Sequence, residues 1–177
     1  NDPAVPLLER LRFLCITCTN LDEFFEIRAA TVLEQQSVGV ASSGADGLTP
    51  TQALAQIREH AMALVQDQYA LWNTVLQPAM ASEGIRVILR DAWSEEQRDW
   101  LQQYFRQQIL PVLSPLGLDP AHPFPRILNR SLNFAVMVSG KDAFGREAEM
   151  ALVRAPRSLP RIIRLPQEIA GADYGFV

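Results

Sequence analysis

A chain of 177 residues, 48% hydrophobic and 20% charged, can bury a core; this excludes wholesale disorder and suits one domain plus part of a second. Sixteen Lys+Arg against twenty Asp+Glu leave a net charge of −4, which excludes a nucleic-acid binder working through bulk positive charge but leaves room for a local patch. No apolar run approaches the ~20 residues a bilayer span needs, and no signal peptide is visible ahead of Asn1, so the composition suits a cytoplasmic location.

Pro6 fits the first turn of a helix, where its missing N–H is harmless. Leu7, Leu11, Leu14, Cys15 and Cys18 then recur at three- and four-residue steps and predict one apolar face. Cys15 and Cys18 have C-x-x-C spacing, but no second Cys or His pair completes a metal site and no βαβ setting supports a redox motif. They read as buried core thiols. Asn20-Leu-Asp-Glu23 has the form of a capping box and predicts a second helix through Phe24, Phe25, Ile27 and Val32 to about Gln36. Residues 37–48 are rich in Gly and Ser and read as a loop.

Thr49-Pro50 restarts the chain as N-cap and first helical residue. Leu54, Ile57, Ala61, Leu64, Leu71 and Val75 mark one apolar stripe, interrupted by Gln68, and Met62, Val65, Tyr69, Trp72 and Leu76 mark a second beside it. So wide a face suits a bundle helix, ending near Ser82 to Gly84. Ile85 to Leu89 reads as a short strand. Ser94-Glu-Glu-Gln97 is another capping box, opening a helix that carries Trp100, Leu101, Tyr104, Phe105, Gln108 and Ile109 until Pro111 stops it. Four helices with short connections predict an antiparallel bundle over residues 1–110.

Beyond that point Pro111, Pro115, Pro120, Pro123 and Pro125 exclude a long helix. Leu132 to Val138 reads as a strand, Lys141 to Gly145 as a turn, Glu147 to Arg154 as a second strand and Ile162 to Leu165 as a short third piece. The expected class is therefore α+β and mainly α: a helical bundle followed by a β-containing second domain over 111–177, truncated. Both ends read as cut from a longer protein.

Chemistry-bearing motifs are sparse. There is no G-x-x-x-x-G-K-[ST] loop, no G-x-G-x-x-G and no G-x-S-x-G. The acidic pairs Asp22-Glu23 and Glu95-Glu96 are expected at helix starts, where the macrodipole favours negative charge. His60 and His122 stand alone, with no ligand or catalytic cluster around either. Asn20, flanked by Arg10, Arg12 and Arg28, reads on physical grounds first as a cap, and second as an amide able to bind a polar ligand.

Longer motifs carry a resemblance. Val5-Pro-Leu-Leu-Glu-Arg-Leu-Arg-Phe-Leu14 and Thr19-Asn-Leu-Asp-Glu-Phe-Phe-Glu-Ile-Arg28 resemble the opening of the bacterial polyphosphate kinases. Leu113-Ser-Pro-Leu, Asp119-Pro-Ala-His-Pro-Phe-Pro125, Asn129-Arg-Ser-Leu-Asn-Phe-Ala-Val136 and Val153-Arg-Ala-Pro, with Leu159-Pro-Arg161 after it, resemble the start of that family's head domain. The resemblance implies a parent that moves the terminal phosphate of ATP reversibly onto polyphosphate, through a phosphohistidine and with Mg2+. It implies a homo-oligomer assembled through the head domain, with ATP and polyphosphate as ligands.

The phosphohistidine of that family lies in its C-terminal half, so neither His60 nor His122 inherits the role, and no catalytic or metal residue is expected here. Asn20 matches the family's nucleotide-contacting Asn before Leu-Asp-Glu-Phe, which implies an ATP-binding residue. The usual Trp-Leu-x-Phe-Asn stretch ahead of it is not among the 177 residues. The expected share of this part is adenine-side ATP binding and assembly, without activity of its own and without tight cofactor binding. The alternative is a helical protein–protein interaction module with no nucleotide contact.

Overall fold

The structure is a computed structural model, and it describes residues 2–39, 47–118, 123–140, 145 and 150–177. The expectations for the centre of the 37–48 loop, for His122, for the turn after Gly140 and for the alternation at Glu147 to Glu149 lie outside those residues. The chain forms two compact units, Asn1–Arg86 and Val87–Val177. The mainly helical α+β class holds, with short strands confined to small sheets. Among the described residues no helix is long and apolar enough to cross a membrane.

The first unit is a hairpin of two long helical stretches. Helix α1 (Leu7–Phe24) continues through a wide π turn (Phe25–Ala29) into α2 (Ala30–Ser37) without a break. The capping box expected at Asn20 is therefore not formed. Asn20 lies inside α1, as do Asp22 and Glu23, and the residue that opens this helix is Pro6. What overrides the local signal is the inward face. At about 100° per residue, Leu7, Arg10, Leu14, Thr17 and Leu21 share one side, all but Thr17 at least half-buried. A break at Asn20 would end that row short of Leu21.

The π turn serves the same row. In an uninterrupted α-helix Ala29 would lie about 80° round from Leu21. The extra residue of an i→i+5 turn brings it back to within about 20°, and Ala29 is buried. Cys15 falls outside the row and Cys18 lies at its edge. Both are free and exposed, contrary to the expectation of core thiols.

Helix α3 (Pro50–Leu71) opens as expected, with Thr49 as N-cap. The Gln52 N–H donates to Thr49 Oγ1 (3.4 Å), and the Thr49 N–H donates to Gln52 Oε1 (2.9 Å). A second π turn (Trp72–Leu76) leads to α4 (Gln77–Ser82), and Gly84 with φ +77° ends the stretch in the left-handed region that Gly adopts without penalty. Helices α2 and α3 pack antiparallel, Gln36 Nε2 donating to Thr51 Oγ1 (3.0 Å) near the connection. Farther along, Gln68 Nε2 donates to Thr17 Oγ1 (3.0 Å).

Gln68, which interrupts the apolar stripe in sequence, is thus buried at the helix–helix seam and satisfied there. Met62, Leu64 and Tyr69, expected on the buried face, are exposed. The first unit therefore holds a helical hairpin rather than a four-helix bundle. Two of the expected helices are one, and the fourth belongs to the second unit.

Strand β1 (Ile85–Val87) leads into that unit. Helix α5 (Glu95–Tyr104) has the expected cap: the Gln97 N–H donates to Ser94 Oγ (3.2 Å) and the Ser94 N–H to Gln97 Oε1 (3.0 Å). The same Gln97 donates through Nε2 to the Ile169 carbonyl (2.8 Å), so one buried amide caps α5 and ties it to a segment 72 residues away. This tie explains why the unit boundary falls at Arg86 rather than at residue 110. A π turn (Phe105–Ile109) and a 3-10 turn (Leu110–Val112) around Pro111 end the helix.

Strands β2 (Pro115–Gly117), β3 (Asn133–Met137) and β4 (Met150–Arg154) form an antiparallel sheet in the order β2-β4-β3. Leu152 at its centre faces both Leu116 and Ala135, and it is buried. Helix α6 (Gln167–Ala170) packs on β5 (Tyr174–Phe176), and Arg164 bridges to Phe176. Gly175 is required there, because a Cβ at that position would sit 2.8 Å from Ala170 Cβ. Strands β2 and β5 and helix α6 carry no periodic signal long enough to read from sequence.

Candidate functional site

Asn20 stands on a flank of α1, about 100° round from Leu21 and about 60° from Thr17 at the helix–helix seam. At 3.6 residues per turn, Phe13, Ile16, Glu23 and Phe24 surround it, and 58% of Phe13, 44% of Ile16 and 38% of Phe24 is exposed. Phe24 meets Phe25 edge to face, their ring centres 5.8 Å apart at 85°. The Asn20 amide is exposed and bonds no described residue, so both its donor and its acceptor point to solvent. A carboxamide in the middle of an apolar, aromatic ridge can hydrogen-bond the polar edge of a flat ligand while the ridge covers its face.

The neighbouring arginines do not converge on it. Arg10 is half-buried on the inward face, and Arg12 stands about 80° round from Asn20 and about 12 Å back along the helix axis. Arg12 Nη1 reaches Glu9 Oε2 at 3.8 Å, an exposed pair of little energetic weight. Arg28 is exposed in the π turn.

The remaining sequence candidates stay apart. His60 is exposed on α3 and donates its Nδ1 proton to the Gln56 carbonyl one turn back (2.8 Å). Among the described residues no group of three His, Cys, Asp or Glu could hold a metal ion. In the second unit a cavity of about 850 Å³ is lined by Trp93, Tyr104, Phe105 and Ile163, with Arg98 and Asp99 among the charged residues along it. It has the aromatic floor of a binding groove but no nucleophile paired with a base.

The sequence reading passed over one charged feature. Residues 123–140 and 150–167 contain Arg126, Arg130, Arg154, Arg157, Arg161 and Arg164 and no Asp or Glu. The fold gathers three of these at one end of the sheet. Arg154, the last residue of β4, lies opposite Asn133, and the Ala155 N–H donates to the Leu132 carbonyl (3.0 Å). Arg157 Nη2 donates to the Asn129 carbonyl (2.6 Å), in the same turn as Arg130. Arg130 itself has φ +55°, a left-handed conformation that costs a residue with a Cβ roughly 1–2 kcal/mol. The signal available in sequence was the absence of carboxylates from both segments, which the whole-chain charge conceals.

Comparison with known proteins covers both units. The family model described as "Polyphosphate kinase N-terminal domain" matches residues 1–88, and "Polyphosphate kinase middle domain" matches residues 96–177. A polyphosphate kinase of Xylella fastidiosa strain Temecula1 is 58% identical over 169 residues, covering 96% of this chain and 24% of that protein. One of Burkholderia ambifaria strain MC40-6 is 51% identical over 176 residues, covering 99% of this chain and 26% of that protein. The crystal structure of a polyphosphate kinase from Porphyromonas gingivalis superposes with a TM-score of 0.72 at 24% identity, over 99% of this chain and 25% of that one; this likeness speaks to the fold. The chain spans about a quarter of the length of the relatives it matches.

Proposed function

The chain belongs to the polyphosphate kinase family, and from that premise we propose that it is the ATP-positioning and assembly portion of an enzyme transferring the terminal phosphate of ATP to polyphosphate. The observation that carries this reading is the Asn20 amide, exposed and without a described partner, in the middle of the Phe13, Ile16 and Phe24 ridge. Asn20 hydrogen-bonds the adenine side of ATP, and the ridge excludes water from the base. The arrangement suits the base rather than the phosphates, since Arg10 and Arg12 lie two turns or more back along the helix.

Phosphoryl transfer itself belongs to residues outside this chain. The family's chemistry runs through a phosphohistidine, and His60, tied to its own helix, is not offered for that role. Mg2+ would supply charge neutralisation between the phosphates. The described residues present no ligand cluster that fits it. In the full-length enzyme Asn20→Ala raises the Michaelis constant for ATP about three- to tenfold, the worth of one neutral hydrogen bond, with kcat little changed. An unchanged Michaelis constant would overturn the assignment.

A second reading is favoured by the ridge alone: Phe13, Ile16, Phe24 and the exposed Ile27 form a docking face for another protein segment, with no nucleotide contact. Heteronuclear NMR of the 177-residue chain separates the two. Millimolar ATP shifts the Asn20 resonances under the first reading and leaves them still under the second.

A further inference from the structure

Charge is divided unevenly between the two units. Residues 1–86 hold five arginines against ten carboxylates, and residues 87–177 hold eleven Lys+Arg against ten, which together make the chain's sixteen and twenty. Within the second unit the positive charge is concentrated again. Residues 126–132 and 153–159 each carry an Arg-Ser-Leu turn, Arg130-Ser-Leu132 and Arg157-Ser-Leu159, and neither segment contains an acid or an aromatic ring. The sheet brings the two turns together, because Arg157 donates to the carbonyl of Asn129 and Arg154 closes β4 opposite Asn133.

Among the described residues no carboxylate pairs with Arg154 or Arg157, and both side chains are exposed.

We infer that Arg130, Arg154 and Arg157 form a binding site for the inorganic polyphosphate chain, separate from the Asn20 ridge in the first unit. The inference rests on the proposed function for the identity of the anion, and on the sheet for the site. Guanidinium groups bind phosphate oxygens in pairs, as a planar fork. A site for single-stranded nucleic acid of similar charge would interleave aromatic rings on which bases stack, and these two turns have none. A chain of phosphates without bases is the polyanion that such a surface favours. The site holds a segment of polymer during repeated transfers, so its loss weakens polymer binding without touching ATP.

The test is direct binding of size-fractionated inorganic polyphosphate to the 177-residue chain by calorimetry at several salt concentrations. The wild-type chain binds, and its affinity falls as salt rises. Arg154→Ala with Arg157→Ala lowers affinity at least about tenfold and flattens the salt dependence. Arg154→Ala alone, which removes a side chain bonded to no described residue, lowers it by a smaller factor, and Arg154→Lys recovers most of that loss. Arg58→Ala, on α3 and of equal charge change, leaves it within about twofold. Should the double variant lose its fold by circular dichroism, Arg154→Ala and Arg154→Lys carry the test.

No binding by the wild type, an equal loss with Arg58→Ala, or wild-type affinity in the folded double variant would each overturn the inference. Equal affinity for single-stranded DNA of the same phosphate number would overturn the choice of polyphosphate. Asn20→Ala leaves polyphosphate affinity unchanged, so failure of the ATP assignment and failure of this one are read in separate experiments.

Discussion

In the first unit two long helical stretches meet along a seam of Leu, Thr and Gln side chains. The second unit joins one helical stretch and several short strands through hydrogen bonds between distant segments, such as Gln97 to Ile169 and Arg157 to Asn129. The first stores its order in periodicity, the second in specific long-range ties. Their functional residues follow the same division. Asn20 is displayed by a regular helix that fixes which neighbours surround it. The arginine site exists only because β3 and β4 pair in one register, bringing residues 24 apart in sequence to one end. A one-residue slip would turn Arg154 to the other face.

Three substitutions sharpen this contrast. The largest effect is expected from Leu76→Ala in the first unit, where Leu76 is 0% exposed. A cavity at a fully buried Leu costs about 2–5 kcal/mol. Hydrogen exchange should accelerate most in 50–82; exchange unchanged there would show that the seam does not depend on this residue.

Gly175→Ala comes next, in the second unit. The added methyl would meet Ala170 Cβ at 2.8 Å, and overpacking of this kind costs about 1–3 kcal/mol. The change should appear as faster exchange around 163–177. Protection unaltered in that segment would mean that α6 and β5 yield freely.

Asn20→Ala has the smallest effect and the most informative sign. An exposed helix-interior Asn replaced by Ala gains up to about 0.7 kcal/mol in helix propensity, whereas loss of an N-cap would cost about 1 kcal/mol. Thermal unfolding of the variant should therefore rise slightly, and a fall would restore the cap.

The sequence was most legible where a local rule met no competitor. Thr49 caps α3 and Ser94-Glu-Glu-Gln97 forms a capping box, both as the sequence predicts, and Gln52 adds the second half of a box at Thr49. Asn20-Leu-Asp-Glu23 has an equally good pattern and did not form, because a break there would have interrupted the row that packs Thr17 against Gln68. Cys15 and Cys18 looked like core on a stripe that stopped at residue 18. Once the stripe continues to Leu21, its axis moves round the helix and both thiols are exposed. The total of −4 left room for a local patch but not its place, which lies in two segments that hold arginines and no Asp or Glu.

By itself, then, the sequence determined the mainly helical α+β class, two of the caps, the main strands of the second unit and, through its longer motifs, the family. Each depends on residues within a few positions of one another or on an ordered run of them. Tertiary structure alone decided that two expected helices are one, that the unit boundary falls at Arg86, and that Asn20 stands in an exposed ridge. It also decided that Arg130, Arg154 and Arg157 share one end of a sheet. These outcomes turn on which side of a helix is buried and which strands pair, and contacts between residues far apart in the chain settle both.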